Sequence, residues 1–297
     1  MKPGAPQTVR DHILFVERRL RDAHVGFGHG TDNARDEAAW LVGYAIGSAP
    51  DRLAQRLRDR VDRRTRSRIA RLLAARIRTR APLAYLIHEA WFAGRSFYVD
   101  PRTIVPRSLI GEFLMPGAPS PLAPAGIRSV LDLCTGSGAI AVAAAYAFPK
   151  ARVDAADIST DALRVAARNR RRHRLERRLH LIESDLFSAL SGRRYDLILS
   201  NPPYVSTAEM RALPTEYRRE PELALAAGRE GLDLAIPILK QAADHLTARG
   251  RLVLEVGASR AHLEAAYPEH PFLWLASSQD DCVGYWHRDD LLDHPVG

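Results

Sequence analysis

Cysteine and lysine are both scarce in this chain, and each scarcity excludes something. Cys134 and Cys282 are the only cysteines among 297 residues. That is too few for a disulfide framework or a thiolate zinc site, so a metal-free chain in a reducing cytoplasm is expected. Neither cysteine sits in a context that marks a nucleophile. Long apolar runs are also missing: none approaches the roughly 18 residues of a membrane span, and the first ten residues lack the apolar stretch of a signal peptide. A protein that works away from membranes is the expectation. Lys2, Lys150 and Lys240 are the only lysines, so arginine carries the formal net charge of +8. Most of the excess lies in residues 52–80 and 164–178. Faces of this kind attract RNA through its phosphates, and a solvated helix face is the competing reading.

What is present fits a two-domain globular chain, since 46% hydrophobic content supports a buried core. Ile13, Val16 and Leu20, then Leu53, Leu57 and Val61, then Ile69, Leu72, Leu73 and Ile77 recur at three- and four-residue spacing. This periodicity predicts an N-terminal helical domain over residues 1–88. The run from Trp91 to Val99 is aromatic and β-branched around Gly94-Arg95-Ser96, which predicts a β-hairpin, and the proline-rich residues 115–126 read as a linker. The intervening segment is therefore residues 89–126. From Ile127 to the end, strands expected at 129–133, 152–156, 179–183, 195–200 and 251–256, with short ones near Phe272 and Val283, alternate with helices at 139–147, 159–169, 232–246 and 259–266. Alternation of this kind defines an α/β domain with a mostly parallel sheet, helices on both faces and ligands at the carboxyl ends of the strands.

Three aspartates and a glycine pair fall at those carboxyl ends. Asp132 closes the first strand ahead of Gly136-Ser137-Gly138, and a helix follows. Glycines there let a ligand approach the backbone, and the helix start offers free N–H groups. A lone glycine-rich turn is ambiguous, but Asp132 inside it suits an ammonium better than a pyrophosphate. Asp157, at the end of the second strand, can accept from both ribose hydroxyls, and Asp185, after the third, can face an adenine amine. Any one of them alone reads as a capping aspartate. Together they outline an S-adenosylmethionine pocket, completed by Thr135, Ile158, Leu186 and Asn201. After the fourth strand comes Asn201-Pro202-Pro203-Tyr204. The prolines fix φ and remove backbone donors, which leaves the Asn201 side-chain oxygen and the Pro202 carbonyl to accept from one NH₂ group. Tyr204 adds an aromatic face for a planar group. These four residues are the candidate acceptor-binding site, with Asn201, Pro202 and Tyr204 as the candidate catalytic residues.

With these motifs in place, the chain resembles the HemK/PrmB family of protein-glutamine methyltransferases. The resemblance runs from about Pro82 to the end and includes Pro82-Leu83-Ala84-Tyr85-Leu86, Val105-Pro106-Arg107-Ser108, the glycine loop, Asn201 to Tyr204, and Glu220-Pro221 with Gly228 and Gly231. Within the family, Trp91-Phe92-Ala93-Gly94 and Pro106-Arg107-Ser108-Leu109-Ile110-Gly111-Glu112 are more similar to the ribosomal-protein branch than to the release-factor branch. Residues 192–194 and 280–285 depart from the family pattern. The resemblance implies a Rossmann-like class I methyltransferase domain with a seven-stranded sheet over residues 127–297 and a substrate-recognising helical domain. It also implies a glutamine of the third large-subunit ribosomal protein as acceptor, free or in an assembling particle. A release-factor glutamine and a nucleobase exocyclic amine are the alternatives, since the same clamp fits all three. Arg107, Glu112 and Glu220 read as scaffold residues rather than catalytic ones.

Overall fold

The computed structural model describes residues 6–115, 117, 122, 126–278 and 282–296. Most of the expected linker over residues 115–126, and Asp280 and Asp281 of the departing 280–285 segment, lie outside the described residues. The chain divides into two compact units, Met1–Glu89 with Pro214–Arg219, and Ala90–Leu213 with Glu220–Gly297.

The first unit is built on α1 (Val9–Asp22), α2 (Ala34–Ala45), α3 (Arg63–Thr79) and the short α4 (Leu83–Ile87). Each of the three long helices starts at a side chain that accepts from its own first turn. Thr8 and Asp11 form a reciprocal capping box, Asn33 accepts from Asp36 N–H, and Asp62 from Thr65 N–H. Caps of this kind stabilise a helix by about 1 kcal/mol each. The apolar stripe read from the sequence meets inside the unit, where Ile13, Val16 and Leu20 pack with Leu41, Val42, Ile69 and Leu73. One arginine of the 52–80 run is not on a solvated face at all. Arg76 is fully buried, with Nε 2.7 Å from Glu37 Oε1, Nη2 2.6 Å from the Gly26 carbonyl and Nη1 3.5 Å from Glu216 Oε1. Glu216 also accepts from Gly26 N–H at 2.9 Å and lies 3.3 Å from Arg80. The segment Pro214–Arg219 thus enters this unit through a buried charge network.

The second unit opens with a hairpin of β1 (Ala90–Phe92) and β2 (Arg95–Phe97), in which Phe92 pairs with Arg95. The turn is therefore Ala93-Gly94, one residue earlier than the expected Gly94-Arg95-Ser96. Both turn residues have positive φ, 45° and 72°, the geometry of a two-residue type I′ turn that matches the strand twist. After α5 (Ile110–Phe113) come β3 (Ser129–Leu133), α6 (Ala139–Ala147), β4 (Arg152–Asp157), α7 (Thr160–Arg172), β5 (Leu179–Glu183), β6 (Tyr195–Ser200) and α8 (Thr207–Ala212). They are followed by α9 (Ala235–Ala242), β7 (Leu246–Glu255), α10 (Arg260–Ala266), β8 (Leu273–Leu275), β9 (Val283–His287) and α11 (Arg288–Asp293). The helix expected to run to Leu246 ends earlier, at Ala242, and passes through a 3₁₀ turn. The strand expected from Arg251 begins at Leu246 and absorbs a register shift opposite Tyr195 and Leu197.

These strands form one seven-stranded sheet in the order β5-β4-β3-β6-β7-β9-β8. The first five are parallel, and β9 runs antiparallel to β7 and β8. Residues alternate between two cores, as buried strands with both faces covered require. Val130, Leu197, Leu199 and Val253 join the core that includes α6, whereas Leu131, Leu133, Ile198, Leu252 and Leu254 join the one that includes α9 and α11. Strand order reverses between β3 and β6. A crevice outside the carboxyl ends of the strands is expected there.

Candidate functional site

That crevice exists in the second unit. It is a cleft of about 850 Å³, counted out to solvent. Gly136, Asp157, Ile158, Asp185, Leu186, Asn201 and Pro203 line it, all of them singled out from the sequence. Thr135, Ser137, Gly138 and Asp132 lie in or beneath the glycine loop rather than on the cleft wall, and Pro202 is buried. Two lining segments were missed. Arg102, Thr103 and Ile104 form a strap, and Pro221, Leu223 and Ala224 form a further wall. Irregular backbone carries no periodicity, so neither segment had a sequence signal apart from the adjoining Pro106-Arg107 and Glu220-Pro221.

The glycine loop is held from two sides. Asp157 accepts from Gly136 N–H at 2.8 Å and from Ser159 N–H at 2.9 Å, so one carboxylate joins the loop to the start of α7. Burial raises its pKa, against these two hydrogen bonds. Asn169, fully buried, donates to the Ser137 carbonyl at 2.8 Å and to the Tyr98 carbonyl at 2.9 Å, and accepts from Tyr98 N–H at 2.7 Å. Asp132 lies under the loop and accepts from the Thr135 hydroxyl and, at 2.8 Å, from Ala141 N–H, both on Oδ2. Its Oδ1 is buried without a partner among the described residues. Cys134 and Leu186, both on the cleft wall, have positive φ values of 60° and 44°. Such backbone is costly for residues other than glycine and concentrates at functional sites. Burial pushes the Cys134 thiol well above its ordinary range, which agrees with the expectation that it is no nucleophile.

Gly136 has φ of +55°, and a Cβ built there would meet no protein atom within 4 Å, because that direction is the cleft. Gly138 differs: at φ +79° its Cβ would come within 3.2 Å of the Ala166 Cβ on α7. Gly136→Ala should therefore fold, at a cost of about 1–2 kcal/mol for the left-handed backbone, and lose affinity for whatever nucleoside the cleft takes. Calorimetric titration against thermal unfolding separates the two effects. Unchanged affinity would remove the loop from ligand contact.

The strap and the further wall are tied together by charge. Arg107 donates from both terminal nitrogens to Glu220, 2.8 Å in each case, and Val105 N–H donates to the same carboxylate at 2.8 Å. Glu112 accepts from Ser278 N–H at 3.0 Å. Both contacts tie distant parts of the second unit together. At the other end of the cleft, Ser200 is in register with Leu133, and its hydroxyl donates to that residue's carbonyl at 2.8 Å. Asn201 therefore follows β6 level with the start of the glycine loop. Its Oδ1 is buried and has no donor among the described residues. A buried acceptor left unpaired beside a cleft calls for an explanation, since most such groups are hydrogen-bonded. No cluster of histidine, cysteine or carboxylate with metal-binding geometry occurs among the described residues, and no described helix is long and apolar enough to cross a membrane.

The sheet order, the acidic and glycine-rich cleft and the acceptor beside it define a Rossmann-like methyltransferase, and residues 119–216 match the family model described as "Methyltransferase small domain". Sequence relatives narrow the class. The chain is 50% identical over 92% of its length to a ribosomal protein uL3 glutamine methyltransferase of Bordetella pertussis, covering 92% of that protein. It is 46% identical over 96% to one of Neisseria gonorrhoeae, covering 96% of it, and 43% identical over 98% to one of Bradyrhizobium diazoefficiens, covering 93% of it. At that identity and coverage the chain belongs to the family of ribosomal protein uL3 glutamine methyltransferases.

Proposed function

We propose that this protein transfers a methyl group from S-adenosylmethionine to the side-chain amide nitrogen of a glutamine in ribosomal protein uL3. The observation that carries the reading is the buried Oδ1 of Asn201, just after β6 and beside the cleft, which has no partner among the described residues. The residues present fit the methyl donor. Asp157 faces the cleft with oxygens that can take further donors, Asp185 lines it, Gly136 leaves room, and Asp132 places a carboxyl beneath the glycine loop. When bound, S-adenosylmethionine supplies an electrophilic methyl on a sulfonium. The chain has to present a nitrogen that is intrinsically a poor nucleophile, because its lone pair is delocalised into the carbonyl. Asn201 Oδ1 and the Pro202 carbonyl accept the two amide hydrogens and fix the nitrogen, which favours partial pyramidalisation. Tyr204 supports the amide plane. The carbon–sulfur bond would break as the carbon–nitrogen bond forms, leaving a neutral thioether, and the nitrogen would lose its surplus proton afterwards; positioning and stabilisation of the positive charge that develops on nitrogen carry the acceleration, and no strong base is needed before transfer.

The helical unit would recognise the protein substrate, and the exposed arginines of the α7 region, among them Arg168, Arg171 and Arg174, would contact RNA where the substrate sits in an assembling particle in the cytoplasm. Purified uL3, a release factor and ribosomal RNA, each incubated with methyl-labelled donor, test the whole reading. Label should enter uL3 alone and be released as methylamine on acid hydrolysis of the modified amide. Label in the release factor or in RNA would overturn the assignment.

Asp132 gives a pH signature. Burial pushes its carboxyl up to about 7, and the Thr135 hydroxyl and Ala141 N–H only partly offset this. An ammonium group is recognised by the ionised form. Affinity for S-adenosylmethionine should therefore rise as pH is raised through about 7 and fall again where the ligand's own amino group loses its proton, at about pH 8 or above, and Asp132→Asn should flatten the rise. Affinity of the unsubstituted protein that does not change over this interval would remove Asp132 from ammonium recognition.

A further inference from the structure

Glu255 is the last residue of β7, the strand next to β6, and it is 3% exposed. Leu254 is in register with Ser200, so Glu255 lies level with Asn201. Its Oε2 accepts from the Ser108 hydroxyl at 2.6 Å and from Leu109 N–H at 2.9 Å, where the chain leaves the Val105-Pro106-Arg107 stretch. Its Oε1 faces the Tyr204 hydroxyl at 3.5 Å. Burial raises the pKa of this carboxyl, and the donors around it work against that. A carboxylate taken this far out of water persists only where donors converge on it. Two of those donors fix Oε2, so Oε1 is held in place as a fixed acceptor.

The rest of Tyr204 is held from the same strand end. The Ser259 hydroxyl donates to the Tyr204 carbonyl at 2.9 Å. Gly257, at φ +51°, lies so close under the ring that a Cβ there would come within 2.3 Å of Tyr204 Cε2. The backbone, the ring face and the hydroxyl of Tyr204 thus each meet a residue of the 255–259 segment. A distance of 3.5 Å is long for an O–H donor, and such contacts tighten as a site fills.

We infer that Glu255 is a positioning residue for methyl transfer: anchored by Ser108 and Leu109, it fixes the rotation of the Tyr204 ring by accepting its hydroxyl, and so sets the wall against which the substrate amide lies. This rests on the proposed role of Tyr204 as the face supporting the acceptor. It deepens that role by naming what orients the ring. Glu255 is absent from the lining of the cleft, as is Tyr204, whose neighbours Asn201 and Pro203 line it. It should therefore act on turnover and leave cofactor affinity alone.

The test is a double-mutant cycle with Glu255→Gln and Tyr204→Phe, both close in shape to the original residues. Each single variant should lower kcat by roughly tenfold, with the S-adenosylmethionine Kd within about twofold, and the double variant should be no worse than either single one. Two independent effects would multiply to about a hundredfold, which would overturn the inference, as would a loss of cofactor affinity in Glu255→Gln. An activity-independent arm places 3-fluorotyrosine at position 204 and follows its ¹⁹F resonance. Glu255→Gln should shift or split this line in the unliganded protein, and an unmoved line would count against Glu255. The acceptor for the kinetics is whichever one the unsubstituted protein methylates. Failure on uL3 would then overturn the proposed function, whereas additivity or an unmoved resonance would overturn only the role of Glu255.

Discussion

Asn201→Ala is expected to lower turnover by roughly a thousandfold while the Kd for S-adenosylmethionine changes by no more than about threefold. The size follows from what the side chain does. In the proposed mechanism the amide nitrogen of glutamine reacts only when held in line with the methyl group, and one of the two acceptors that hold it is Asn201 Oδ1, buried and without a partner among the described residues. Alanine leaves the Pro202 carbonyl as the sole acceptor, so the NH₂ group can rotate and its hydrogens are no longer both matched. The residues proposed for cofactor binding stand mainly at other strand ends, such as Asp157 and Asp185, which line the cleft. Single-turnover rates at saturating cofactor, with calorimetry for the Kd, read the two quantities separately. Turnover within a few-fold of the original would remove the clamp, and a collapse of cofactor affinity would reassign Asn201 to the donor side.

The second large effect is on stability. Arg76→Leu should destabilise the first unit by about 3–5 kcal/mol, because it leaves two carboxylates in a space that held one guanidinium. Burial already raises the pKa of Glu37, with Arg76 acting against it. Glu216 is also buried, yet the Gly26 N–H, Arg80 and Arg76 bring its pKa below the ordinary value. Without Arg76, both carboxyls move upward. A folded-state pKa above the unfolded value of 4.5 means that the folded form holds the proton longer, so part of the lost stability returns as pH falls through the folded value. Urea unfolding at about pH 7 and about pH 5 should show a smaller deficit at the lower pH. An equal deficit at both would mean that the loss comes from packing rather than from unpaired charge.

The sequence was most readable where the signal is local. The apolar runs of β3, β4 and β6, the Gly136-Ser137-Gly138 loop and Asn201 to Tyr204 are contiguous patterns, and strand ends placed Asp157 and Asp185 at the cleft without any knowledge of partners. What escaped reading depends on residues far apart. Arg76 is one arginine in a dense basic run, and nothing near it announces that Glu37 and a glutamate beyond Pro214 will bury it. Glu255 and Ser108 are 147 positions apart, and Asn169 and Tyr98 are 71 apart. The positive φ values at Cys134 and Leu186 were invisible for another reason: a glycine advertises left-handed backbone, whereas these residues are forced into it by the loops that carry them. Arginine misled in a similar way. Arg178 lies in the second basic run, yet its guanidinium donates to the Ala145 and Ala151 carbonyls at 3.0 and 3.1 Å, near the end of α6.

The Pro214–Arg219 segment has a consequence for how the protein is made. The four helices of the first unit leave the ribosome early, but their buried guanidinium does not meet Glu216 until the chain has been translated past the Asn-Pro-Pro-Tyr stretch. Until then the nascent helices hold a charge balance that is incomplete, and they resemble a chain paused short of its native state. An N-terminal fragment ending at Glu89 would be caught permanently at that stage. Completion of the first unit is thus timed by synthesis of Pro214–Arg219, which follows the Asn-Pro-Pro-Tyr stretch of the second.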